Sequence, residues 1–185
     1  MSFARKSVKA KAPLNEAGLY DYALKALGRT MRTEAELRRL MRQRVEPGES
    51  GEAIVNSIIL RLKEHGYLDD KSFAETFTRL RVENEKLGSR TVRQKLTQKG
   101  VPAPIVNETI ETRYAGTDEE ALARQHIERK RLKKPENEKE TARILRRLIA
   151  AGFSTRTIYK ILRQWDVPEE TLSALDSLED EPPSE

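Results

Sequence analysis

The chain has 185 residues, of which 37% are apolar, 35% charged and only 5% aromatic. It contains no cysteine, which excludes a disulfide framework, a thiolate metal site and a cysteine nucleophile. Its net charge of +5 is unevenly spread: residues 117–165 carry thirteen bases against seven acids, whereas residues 166–185 carry eight acids and no base.

Residues 1–18 hold Arg5, Lys6, Lys9 and Lys11 without an apolar period, and are expected to form a mobile basic tail. A first helical unit is expected over 19–68. Leu19, Tyr22, Ala23, Ala26 and Leu27 make an amphipathic helix closed by Gly28, and Thr33-Glu34-Ala35-Glu36 is a capping box that opens the next. Glu46-Pro47-Gly48-Glu49-Ser50-Gly51 reads as a loop, and Ile54, Ile58 and Leu62 then recur every fourth residue.

That third helix ends in the corner Gly66-Tyr67-Leu68-Asp69-Asp70. Gly66 suits a left-handed position beyond the helix end, Tyr67 and Leu68 are expected to fold back onto the core, and Asp69 or Asp70 to cap the next helix. The second unit, 69–116, carries Phe73, Phe77, Leu80 and Leu87 on its first helix. Val92 and Leu96 mark the second helix, which stops at Gly100, and Val106, Ile110 and Tyr114 mark the third. The third unit, 117–165, opens on a second capping box at Thr117-Asp118-Glu119-Glu120. It then carries the basic run Lys130–Lys134, a helix with Ile144, Leu145, Leu148 and Ile149, the corner Gly152-Phe153-Ser154, and a last helix with Ile158, Ile161, Leu162 and Trp165. Residues 166–185 form an acidic extension, expected to be largely disordered beyond a short helical turn through Leu175 and Leu178.

The pairs Leu37/Met41, Val92/Leu96 and Ile144/Leu148 register on one another, as do Gly100 on Gly152 and Val101 on Phe153. A period near fifty residues with three helices each predicts an all-α fold: an elongated, curved array of three tandem three-helix modules resembling helix-turn-helix repeats.

The chemistry-bearing residues point away from catalysis. A helix cap accounts for Asp69-Asp70; His65 and His126 stand alone without the partners a zinc site needs; and Gly88, Gly100 and Gly152 are lone helix terminators, not a phosphate loop. No catalytic, cofactor-binding or metal-binding residue is expected. The cations are more informative because they repeat in register: Arg38 on Arg93, Lys95 on Arg147, and Arg39 on Arg146 through Gln94. With Arg90, Lys99 and Arg143, these residues make a candidate stripe for a phosphate backbone or an acidic protein surface. The competing reading is that Arg and Lys are simply good helix formers on a solvated face. No helix combines a base-reading set of side chains, and the aromatics are too few for a stacking platform.

Gly66-Tyr67-Leu68-Asp69-Asp70 followed by Phe73-Ala74 resembles the signature of the RecX family, regulators of the RecA recombinase. The resemblance extends to Glu36-Leu37-Arg38-Arg39, to Gly88, Val92, Arg93, Leu96 and Lys99-Gly100-Val101, and to Gly152-Phe153-Ser154, in order over roughly residues 20–165. The chain departs from the pattern at Arg44, in the Glu46–Gly51 loop and in both terminal extensions. No apolar run approaches the roughly 20 residues that span a bilayer and the basic N-terminus lacks a secretory core, so a cytoplasmic location is expected. The resemblance implies a non-enzymatic regulator in DNA repair, recombination and the SOS response. Such a protein binds the RecA–DNA filament and restrains its growth, ATP hydrolysis and strand exchange. It needs no cofactor, small-molecule substrate or membrane, and a monomer is expected, with single- or double-stranded DNA as a possible second partner. Two alternatives stay open: direct nucleic-acid binding without recombinase, predicting steeply salt-dependent affinity, and a helical scaffold for another protein, predicting neither activity.

Overall fold

The computed structural model describes residues 12–172. The basic tail up to Lys11 and the acidic stretch from Ser173, including Leu175 and Leu178, lie outside the described residues. Among those described there is no strand, and the element order is α1 (Glu16–Arg29), α2 (Glu34–Arg42), α3 (Glu49–Glu64), α4 (Asp70–Glu85), α5 (Ser89–Gln98), α6 (Ala103–Tyr114), α7 (Glu119–Arg129), α8 (Glu138–Ala150) and α9 (Thr155–Gln164). None of these helices is long and apolar enough to cross a membrane.

The chain divides into two compact units. One comprises Met1–Phe73 with Lys99–Val101, the other Ala74–Gln98 with Pro102–Glu185. In the first unit, Leu19 and Ala23 of α1, Leu37 and Met41 of α2, and Val55, Ile58, Ile59 and Leu62 of α3 bury one shared core, with Leu68 folded in from the corner. Three short amphipathic helices each have too little apolar face to stand alone, so burial against one another supplies most of their stability. The capping box at α2 is complete: Thr33 Oγ1 accepts from the Glu36 N–H at 3.1 Å, and Glu36 Oε2 accepts from the Thr33 N–H at 3.3 Å.

The second unit buries Val92 and Leu96 of α5, Val106 and Ile110 of α6, Leu122 and Ile127 of α7, Leu145 and Leu148 of α8, and Ile158, Ile161 and Leu162 of α9. The chain continues after α9: Asp166 takes φ +55°, and Val167 and Leu172 are buried.

Several local expectations are corrected. Gly28 does not close α1, which runs on to Arg29. Asp118, not Thr117, caps α7, accepting from the N–H groups of Glu120 and Ala121. Helix α5 begins at Ser89, and the Gly88 carbonyl just before it accepts from the Val92 N–H. Leu80, expected on the apolar face of α4, is exposed. Tyr67, expected to fold back onto the core, is 59% exposed, while Leu68 is buried.

Candidate nucleic-acid interface

The corner between α3 and α4 sets the local geometry. Gly66 has φ +71°; its N–H donates to Lys63 O at 3.0 Å, and the Tyr67 N–H donates to Leu62 O at 2.9 Å. These two bonds satisfy carbonyls that the helix end leaves open, in the paired pattern of a Schellman motif. Asp69 caps α4, accepting from the Lys71 N–H at 2.8 Å and the Ser72 hydroxyl at 2.7 Å. The Ser72 bond, outweighing burial, holds its carboxyl below the usual aspartate range. Asp70 faces elsewhere: its Oδ1 accepts from the Glu34 N–H at 2.8 Å, in the first turn of α2. Burial pushes the Asp70 carboxyl up, against the lowering effect of that bond.

One joint is built twice, once inside each unit. In the first, Thr33 Oγ1 donates to Lys99 O at 2.6 Å, Lys99 Nζ pairs with Glu36 Oε1 at 2.7 Å, and Gly100 lies against the Ala35 Cβ with no room for a side chain. In the second, Thr91 Oγ1 donates to Ala150 O at 2.8 Å, the Gly88 N–H donates to Ala151 O at 2.8 Å, and a Cβ on Gly152 would fall 2.5 Å from Thr91 N. A helix start thus meets a glycine corner in both cases. Glu119 adds a clamp in the second unit, accepting from Ser154 N–H at 2.9 Å, Ser154 Oγ at 2.5 Å and Thr157 Oγ1 at 2.6 Å. Burial alone would raise the Glu119 carboxyl, but the Ser154 and Thr157 hydrogen bonds hold it below its ordinary range.

These joints decide which cations remain available. Arg38 Nε pairs with Glu34 at 2.8 Å and its guanidinium also donates to Asn56. Arg93 donates to Asn107 in the same way, so the register of Arg38 with Arg93 reflects a clamp from the second helix to the third helix of a repeat. Lys99 is held by Glu36 and lies 5.6 Å from the centre of the Phe73 ring. Arg90 is exposed, and its charge acts on Glu119. Arg39, Arg143, Arg146 and Arg147 are exposed and Lys95 half-buried, and none of the five has a hydrogen bond or ion pair with a described side chain.

Two of those free cations meet others that sequence reasoning did not select. Arg143 and Arg147 of α8, with Arg131, Lys133 and Lys134 of the α7–α8 loop, line an open groove of about 300 Å³. Leu132 and Ile144 are its apolar lining residues, and Glu136 and Glu140 its two lining acids. The Glu136 N–H donates to the Glu140 carboxylate at 3.0 Å, which fixes the loop at the start of α8. The basic run Lys130–Lys134 is plain in the sequence but reads there as a helix exit; only the fold shows that it turns back along α8. Five cations against two carboxylates give a surface suited to a polyanion, whose backbone charges release bound counterions on docking. Among the described residues no cluster of His, Asp and Glu is arranged to hold a metal ion.

Residues 69–110 match the family model of the RecX second three-helix domain. The chain is 27% identical over 154 residues to regulatory protein RecX of Oceanobacillus iheyensis, a match covering 82% of this chain and 55% of that relative. It is 31% identical over 147 residues to regulatory protein RecX of Mycolicibacterium vanbaalenii, covering 78% of this chain and 77% of the relative. The match therefore spans little more than half the length of the first of these relatives and about three quarters of the second. A crystal structure of regulatory protein RecX superposes with a TM-score of 0.65 at 22% identity, covering 80% of this chain and 71% of that one, which supports the all-helical fold.

Proposed function

The chain belongs to the RecX family of regulatory proteins, and from that premise we propose that it restrains the RecA recombinase by binding the RecA–DNA filament through its free cations. The action is stoichiometric, without a catalytic step or cofactor. Two of the six candidate cations that repeat in register, Arg38 and Arg93, are spent inside the fold. Arg38, Arg93 and Lys99 hold helices together, whereas Arg39, Lys95, Arg143, Arg146 and Arg147 have no such task. The single observation that carries the reading is the groove in which Arg143 and Arg147 meet Arg131, Lys133 and Lys134. Many weak cation contacts along a repeating filament add through effective concentration.

The test is RecA ATP hydrolysis on single-stranded DNA, with and without this protein, at two salt concentrations. Inhibition that weakens with salt, and that is lost in the charge reversal Arg143→Glu/Arg146→Glu/Arg147→Glu with helicity intact, is the expected result. Undiminished inhibition by that variant would count against the surface. The same groove also favours the second reading, direct nucleic-acid binding. That reading predicts affinity for an oligonucleotide without RecA, falling steeply with salt.

A further inference from the structure

We propose that the resting occupant of the α7–α8 groove is the chain's own acidic C-terminal stretch, residues 173–185, which an incoming nucleic acid must displace. The inference rests on the reading of that groove as a polyanion site and adds its regulation.

Three observations converge. The first is where the chain goes after α9. Asp166, at φ +55°, turns the backbone, and its carboxylate pairs at 2.9 Å with Lys134, one of the residues that line the groove. Glu169 pairs with Arg163 at 2.7 Å, and Val167 and Leu172 are buried, so the start of the acidic extension is anchored on this unit. The second is reach. Thirteen residues follow Leu172, and an extended stretch of that length spans up to about 43 Å. The third is charge. Asp176, Glu179, Asp180, Glu181 and Glu185 stand in those thirteen residues with no Lys or Arg among them. The groove offers Arg131, Lys133, Arg143 and Arg147, beside Lys134 already paired with Asp166, against Glu136 and Glu140.

A tethered polyanion acts at high effective concentration even when each contact is weak. Its attraction is screened within a Debye length of about 8 Å at physiological salt. The occupant therefore competes best at low ionic strength and yields to a ligand that presents more phosphates than the segment has carboxylates.

The experiment uses the full chain, a tail-neutral variant (Asp176→Asn/Glu179→Gln/Asp180→Asn/Glu181→Gln/Glu185→Gln), a groove variant (Lys133→Glu/Arg143→Glu), and the two combined. Without nucleic acid, carboxyl-to-amine cross-linking should join residues 173–185 to Lys133 or Lys134 at low salt and fail at high salt. With a labelled oligodeoxythymidylate, the tail-neutral chain should bind about three- to tenfold tighter than the parent at low salt, and the gain should shrink as salt rises. In the groove background that gain should vanish. Absence of the cross-links overturns the proposal. So does a gain that survives in the groove variant, because a general change of net charge would produce it. If the cross-links form but the oligonucleotide binds neither the parent nor the tail-neutral chain, competition with nucleic acid is overturned. RecA inhibition, assayed on the tail-neutral chain and the groove variant, reports separately on the functional reading.

Discussion

Asp70 accepts its hydrogen bond from the backbone N–H of Glu34, at 2.8 Å and thirty-six residues upstream. Of two adjacent aspartates, one caps its own helix and the other caps a helix already made. Asp70→Ala should therefore cost about 1–2 kcal/mol in urea unfolding, because it strips a partner from an N–H in the first turn of α2. Asp70→Asn keeps an acceptor oxygen at that place and should lose far less. The sign with pH separates the two aspartates further. Asp70 is raised in the folded chain, so its contribution is most favourable below its unfolded value and declines as pH rises through the folded one. Asp70→Asn should remove that decline, whereas Asp69→Asn should not; urea midpoints measured from pH 3 to pH 7 would show it.

The corner glycines make a sharper contrast. Gly152 has φ +95°, and a Cβ there would lie 2.5 Å from Thr91 N, so Gly152→Ala meets both a backbone penalty and a clash with main chain. A loss of about 3 kcal/mol or more is expected. Gly28 lies inside α1, where a Cβ meets nothing within 4 Å. Gly28→Ala should stabilise by about 0.5–1 kcal/mol, since alanine is the better helix former. Thermal melts of the two variants against the parent should move in opposite directions.

How much of this was legible in the sequence follows from the range of each interaction. Caps and Schellman corners are local, so Thr33 with Glu36, and Gly66 with Lys63, can be read from spacing alone. The apolar period likewise places Leu37, Met41, Val92, Leu96, Ile158 and Leu162 inside. The second use of glycine is not local: nothing around Gly88 in sequence announces that its missing side chain makes way for the Gly152 carbonyl. The same holds for cations. Spacing registers Arg38 on Arg93, but whether a repeated arginine faces a partner or an asparagine on the next helix is decided by packing. The groove escaped sequence reasoning because its loop residues, Arg131 to Lys134, carry no period at all.

The two kinds of arginine can be told apart by experiment. Arg93→Ala breaks the bond to Asn107 and should lower stability by about 0.5–1 kcal/mol. It should leave the salt slope of oligonucleotide binding unchanged. Arg147→Ala removes a cation with no such partner, so its unfolding midpoint should stay at the parent's. Its binding should weaken and the slope of log affinity against log salt should fall by about one. Identical slopes for both variants would place Arg147 outside the interface.

Glu119 offers the last prediction, because three donors converge on one carboxylate. Those donors suit the charged form, which is why the group titrates below its ordinary range despite burial. A depressed carboxylate contributes stability that is in place above its unfolded value and is lost as pH falls through the folded one. Glu119→Gln retains one acceptor oxygen but places an amide where a second acceptor is needed, facing the Ser154 and Thr157 hydroxyls. It should cost about 2 kcal/mol at neutral pH, and the penalty should shrink steadily as acidification below the ordinary glutamate range protonates the parent itself. Urea unfolding of parent and variant at pH 7 and pH 3 measures both quantities. A penalty that stays constant with pH would mean that the Ser154 and Thr157 hydroxyls do not favour the ionised carboxylate.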